Sequence, residues 1–189
     1  MELHEECGVF GVWAPDRDVA RLTYFALHAL QHRGQDSAGI AVGDGQTVLI
    51  RKDTGLVTEV FNNDDLNAMP GKVAIGHCRY GTAGAKGWES AQPHMSSIDE
   101  TLIALAHNGT LVNFDSLRLR TGIAATMNLI EGGYAMVLIR ENALYAFRDP
   151  NGIRPLVLGH IGEEGENNWV VASETCALDI VGATYVREV

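Results

Sequence analysis

The chain has 189 residues, with 24 acidic and 14 basic side chains giving a formal net charge of −10. Hydrophobic residues make up 46% and charged residues 20%, a globular composition that excludes a disordered tail, a collagen and a coiled coil. The acidic balance excludes a nucleic-acid footprint, and the longest apolar runs, such as Tyr134 to Ile139, are too short to span a bilayer.

Gly8 to Trp13 reads as a strand, and Pro15-Asp16 supplies a turn and a helix start. Val19, Leu22, Ala26, Leu27 and Leu30 then recur at helical spacing up to Gly34. Ala38 to Val42 and Thr47 to Arg51 read as strands joined through Gly43-Asp44-Gly45. Val73 to His77 and Leu102 to His107 are further strands, separated by a long Gly-rich stretch from Tyr80 to Pro93. A loop of that length in a compact domain is usually functional. Two hairpins follow, Tyr134 to Arg140 with Ala143 to Arg148, and Pro155 to Ile161 with Trp169 to Ala172. Ser173 opens a short helix through Ala177, Leu178 and Val181 to Gly182. Strands joined mostly by hairpins predict an α+β fold with antiparallel sheets.

Met1 to Glu6 carries three acidic residues and no apolar core, so it does not read as a secretory signal. Cys7, Cys78 and Cys176 are odd in number and scattered, which makes no disulfide framework and predicts a reducing, cytoplasmic setting. Cys7 stands in Cys-Gly-Val-Phe-Gly-Val, where two glycines let a ligand or a second backbone approach; with an activating group it is a candidate nucleophile. His32 to Gly39 concentrates charged and small residues after the first helix. Arg79, at the end of a strand, suits bidentate capture of a carboxylate. Asn108 beside the Gly109 N–H is a candidate oxyanion hole, although Asn-Gly is also a common turn dipeptide. No metal site is predicted: His28 and His32, or His4 and Cys7, lack the partners of a zinc pattern, and no Gly-rich phosphate cradle occurs.

Taken together and in order, Cys-Gly-Val-Phe-Gly, Gln-His-Arg-Gly-Gln-Asp-Ser-Ala-Gly, Gly-His-Cys-Arg-Tyr-Gly-Thr and His-Asn-Gly closely resemble the class II glutamine amidotransferases. Gln35, the run Arg148 to Leu156, and Ala172-Ser173-Glu174-Thr175 resemble, within that class, the amidophosphoribosyltransferases of purine biosynthesis. The resemblance implies a four-layer αββα sandwich of two antiparallel sheets, of the N-terminal-nucleophile hydrolase type. It implies a leader, residues 1–6, whose removal exposes Cys7 as nucleophile, and a glutaminase domain over residues 7–189. Asn108 and Gly109 would hold the oxyanion, and Arg79, with Tyr80 and Thr82, would line the glutamine site. Arg33 and Gly34 would sit beside Cys7 in the substrate-binding region, and Tyr80 to Ser90 would close over glutamine. Ammonia would pass to phosphoribosyl pyrophosphate on a C-terminal phosphoribosyltransferase domain that lies beyond this chain. The family's Mg and, in some members, 4Fe-4S cluster belong largely to that part, so no cofactor is expected here. The full-length protein is expected to be a homo-oligomer.

The resemblance also exposes one gap. The family's acidic motif for the glutamine amino group has no match between Leu111 and Glu131, and two helical fragments meet at Thr121-Gly122 without a cap. We therefore expect a break in covalent continuity between Leu117 and Ala124, or a true deletion there. Two alternative readings remain: a fold-retaining inactive or regulatory domain, and the glutaminase half of another class II amidotransferase.

Overall fold

A computed structural model describes residues 7–80, 87–109, 130–163 and 165–189. The expected lid, of which residues 81–86 are the greater part, Thr82 within it, and the expected break between Leu117 and Ala124 lie outside the described residues.

Strand β1 (Gly8–Trp13) is followed by α1 (Val19–Ala29), whose N-terminus is capped by Asp18 Oδ1 accepting from the Arg21 N–H at 3.0 Å. A short 3-10 turn (Gln31–Arg33) leads into the hairpin β2 (Ser37–Gly43) and β3 (Val48–Thr54). Two short helices, α2 (Val57–Val60) and α3 (Asn63–Asn67), precede β4 (Val73–Arg79). Then come β5 (His94–Ile98), β6 (Thr101–Gly109), β7 (Tyr134–Arg140), β8 (Ala143–Arg148), β9 (Val157–Ile161) and β10 (Trp169–Ala172). The described chain closes with α4 (Thr175–Ile180) and β11 (Ala183–Glu188). Strands β5 and β11 and helices α2 and α3 were not expected from the sequence.

The strands form two antiparallel sheets, one of order β11-β9-β10-β1-β4-β2-β3 and one of order β5-β6-β7-β8. Strand β1 explains the layering. Its side chains alternate, so Phe10 and Val12 face the helices with Leu27, Leu30 and Leu178, while Val9 faces the second sheet with Ile75, Ala106 and Val137. Buried on both faces, β1 has no polar side chain to expose, and it lies at the middle of its sheet. Full burial of each such Leu, Ile or Phe contributes roughly 1.5–3 kcal/mol. The two antiparallel sheets and their helical cover agree with the expected α+β fold. The second helical layer of the expected sandwich falls on residues 110–129, outside those described.

Candidate active site

The site is assembled at the C-terminal end of β4. Gly8 pairs with Cys78, so Cys7 and Arg79 occupy the next positions outward on two neighbouring strands. The backbone of Cys7 has φ 74, in the left-handed region that side chains with a Cβ rarely adopt. Such a conformation costs about 1–3 kcal/mol and persists only where the surroundings enforce it. Here Arg33 enforces it from both sides. The Cys7 N–H donates to the Arg33 carbonyl at 3.1 Å, and Arg33 Nε donates to the Cys7 carbonyl at 2.8 Å.

Arg33 is itself buried, and its Nη1 donates to Glu174 Oε1. Burial pushes the Glu174 carboxyl up, but the Arg33 guanidinium and His32 outweigh it and hold the group below the usual carboxylate range. One residue earlier, Ser173 exchanges two hydrogen bonds with Val9: the Val9 N–H donates to Ser173 Oγ at 2.9 Å, and the Ser173 N–H donates to the Val9 carbonyl at 3.0 Å. The segment Ser173-Glu174 is thus the underside of the Cys7 site, a role the sequence did not reveal. Gly34 completes the clamp, because a Cβ there would lie 2.5 Å from the Arg79 carbonyl carbon.

The second sheet brings Asn108 and Gly109 to the same end. His77 Nε2 lies 3.1 Å from the His107 carbonyl oxygen, tying the end of β4 to the end of β6. The next residue, Asn108, is fully buried, and among the described residues neither its Oδ1 nor its Nδ2 has a hydrogen-bond partner. Gly109 has φ 119, and a Cβ there would lie 2.1 Å from the Gly133 carbonyl oxygen, so only glycine fits. On the outer side, Arg79 Nη1 donates to Ser90 Oγ, and Tyr80 is about half exposed.

The remaining thiols are poorly suited to nucleophilic work. Burial pushes Cys78 up to about 12, and burial followed by the nearby Glu174 carboxylate pushes Cys176 up as well. Burial likewise holds His77 at about 3 and His107 at about 4, so both are neutral at physiological pH. The loop after β8 is organised by Asp149, which accepts from the N–H groups of Tyr134, Asn151, Ile153 and Arg154 at 3.0–3.2 Å. Burial pushes its carboxyl up, and those four donors more than reverse the shift.

Comparison with known proteins places this arrangement. Amidophosphoribosyltransferase of Mycobacterium bovis is 47% identical over 222 residues, covering 98% of this chain and 41% of the relative. The Bacillus subtilis amidophosphoribosyltransferase is 42% identical, covering 99% of this chain and 45% of the relative. The chain belongs to the amidophosphoribosyltransferase family. A solved allosteric regulatory enzyme of purine biosynthesis superposes with a TM-score of 0.87 at 41% identity, over 97% of this chain and 45% of that one. The B. subtilis glutamine phosphoribosylpyrophosphate amidotransferase, solved with ADP and GMP, gives a TM-score of 0.85 at 40% identity, over 97% of this chain and 45% of that one. No family model matches the chain.

These amidophosphoribosyltransferases are more than twice as long as this chain, which spans less than half of their length. The M. bovis alignment covers 222 positions against the 189 residues here, so more than thirty positions of that relative have no counterpart inside the aligned span. Within the described residues, no helix is long and apolar enough to cross a membrane.

Proposed function

We propose that this chain is the glutaminase part of an amidophosphoribosyltransferase, hydrolysing glutamine to glutamate and ammonia through Cys7. Residues 1–6 are a leader, and residues 7–189 form the glutaminase domain. Removing the leader turns the Cys7 amide nitrogen into an α-amine, a group that titrates near ~7.7–8.0 and accepts the thiol proton at neutral pH. An amine keeps N–H bonds to donate to the Arg33 carbonyl while its lone pair serves as base.

The thiolate attacks the side-chain amide carbon of glutamine, and the carbonyl oxygen becomes an oxyanion held by Asn108 Nδ2 and the Gly109 N–H. The C–N bond then breaks, and the amine's proton leaves with ammonia. Water, deprotonated by the same amine, splits the thioester and releases glutamate. Arg79 binds the glutamine α-carboxylate, with Tyr80 and Thr82 alongside, and Arg33 and Gly34 fix Cys7. Full-length protein passes the ammonia to phosphoribosyl pyrophosphate on its phosphoribosyltransferase domain and works as a homo-oligomer in the cytoplasm.

One observation carries this reading: the buried Asn108 amide, with no partner at either atom among the described residues. A buried polar group left unsatisfied costs about 1–3 kcal/mol, which a folded protein retains where a ligand supplies the missing bond. The test is covalent labelling with a γ-diazoketone analogue of glutamine, followed by peptide mass spectrometry. Label on Cys7 alone, lost with hydrolysis in Cys7→Ser, is the expected result. Label on Cys78 or Cys176 with retained activity in Cys7→Ser overturns it.

A second reading, a fold-retaining domain with weak or no glutaminase activity, is favoured by the positions this chain lacks relative to its M. bovis relative. Ammonia release by the processed protein separates the two.

A further inference from the structure

His32 stands at the exposed side of the 3-10 turn after α1, and Glu174 and Cys176 lie at the start of α4. His32 Nε2 is 3.0 Å from Glu174 Oε2, Cys176 Sγ is 3.6 Å from the same oxygen, and all three atoms fall within 4.8 Å of one another. We propose that His32 Nε2, Glu174 Oε2 and Cys176 Sγ form a surface site for a zinc-class divalent cation, one that touches neither Cys7 nor Asn108.

The spacing fits a tetrahedron. With metal bonds of about 2.0–2.2 Å to nitrogen and oxygen and about 2.3 Å to sulfur, the edges between donors are roughly 3.3–3.6 Å. The nitrogen–oxygen separation of 3.0 Å lies just below those edges and the oxygen–sulfur separation of 3.6 Å at their upper end, while the nitrogen–sulfur separation, within 4.8 Å, closes by rotation of the exposed His32 side chain.

The outer contacts are those of a metal-bound histidine and carboxylate. His32 Nδ1 lies 3.0 Å from the Ala29 carbonyl oxygen, which can only accept, so Nδ1 donates there and Nε2 is the atom turned toward Glu174. Glu174 is orientated by its other oxygen, which Arg33 holds, so it offers Oε2 as a single donor.

Imidazole, thiolate and one carboxylate oxygen form a borderline-soft set that suits zinc and not magnesium or calcium. Binding forms the metal–sulfur bond and releases the thiol proton to solvent. The exposed His32 leaves the fourth vertex open to water. The ligands escape sequence inspection because His32 and Glu174 are 142 residues apart.

The test uses Co²⁺ as the spectroscopic probe on Cys7→Ala protein, which removes the nucleophile thiol while Cys78 stays fully buried. One equivalent of Co²⁺ should give a sulfur-to-cobalt charge-transfer band and the intense visible bands of a tetrahedral ion, and Zn²⁺ should displace both. Cys176→Ala should abolish the charge-transfer band, and His32→Ala, at an exposed position, should weaken binding at least tenfold. A pale octahedral spectrum, a charge-transfer band that survives Cys176→Ala, or unchanged affinity in His32→Ala each overturns the site. None of these readouts depends on glutamine hydrolysis, so failure here leaves the glutaminase reading standing, and the reverse.

Discussion

The two sheets treat their polar groups at the site in opposite ways. At the end of the central strand of the seven-stranded sheet, the Cys7 backbone is held on both sides by Arg33, and Arg33 is held in turn by Glu174. At the end of the four-stranded sheet, Asn108 is fully buried and has no partner among the described residues for either amide atom. One side has its backbone held before any ligand arrives, and the other leaves its amide unsatisfied. A nucleophile must stay in place through every step, so its supports are permanent. In the proposed mechanism the oxyanion exists only briefly, so a donor aimed at it stays unpaired until it forms, and the fold bears the cost.

The sharpest way to break this comparison is Asn108→Ala. Loss of one oxyanion donor should lower kcat for glutamine hydrolysis by ~10²–10³ with KM little changed. Because the amide is unsatisfied in the fold, the same variant should unfold at equal or higher temperature than the parent. Steady-state kinetics and a thermal melt on one sample check both. A lower melting temperature with unchanged kcat would show that Asn108 is structural.

The next effect tests the seam between the sheets. His77 and His107 are buried and neutral, with values depressed to about 3 and about 4. The unfolded chain takes up protons at both below about 6.5, whereas the folded chain does not until the lower values are reached. Stability should therefore hold above pH 6.5 and fall as the pH drops from there toward 4, His107 alone accounting for up to about 3 kcal/mol. His77→Gln keeps a donor for the His107 carbonyl and cannot be protonated, so chemical denaturation across that window should show a shallower loss.

A smaller effect belongs to binding. Hydrogen bonds to a charged group contribute about 1.5–3 kcal/mol, so Arg79→Ala should raise KM for glutamine about 10–100-fold while kcat moves less. A KM within twofold of the parent rejects Arg79 as the carboxylate ligand.

The sequence revealed these sites unevenly, for physical reasons. Strand β1 was legible because Val9, Phe10 and Val12 are apolar and flanked by glycine and turn residues. Strand β5 was not, since His94-Met95-Ser96-Ser97-Ile98 is an edge strand with exposed positions such as Met95, and edge strands need no apolar face. Strand β11 hid in the same way. Cys7, Arg79 and Asn108 were legible because each ends a strand within a dense local motif. Glu174 stood inside a quoted motif without a role, because its role depends on Arg33, 141 residues earlier. The depressed values of His77 and His107 were equally hidden, since burial between two sheets is a property of the fold.

Glu174→Gln gives the smallest expected effect and bears most directly on the contrast between the sheets. Removing one partner of a fully buried pair costs about 3–5 kcal/mol. Glu174 is a third exposed, so water screens part of the loss and about 1–2 kcal/mol is expected. Glutamine retains an amide oxygen for Arg33, which keeps the hydrogen bond and removes the charge. Arg33 touches the Cys7 backbone and Glu174 does not, so Glu174 acts as a positioning residue. Its loss should loosen Arg33 against the Cys7 carbonyl and lower kcat several-fold while KM for glutamine stays within twofold. Glu174→Asp, which restores the charge on a shorter side chain, should recover the melting temperature in part. A variant that loses stability with no change in kcat would confine Glu174 to holding α4 against the sheet. Equal loss in kcat and rise in KM would instead place its influence on the glutamine pocket as a whole, and the contrast between a completed nucleophile side and an incomplete oxyanion side would then have to be redrawn.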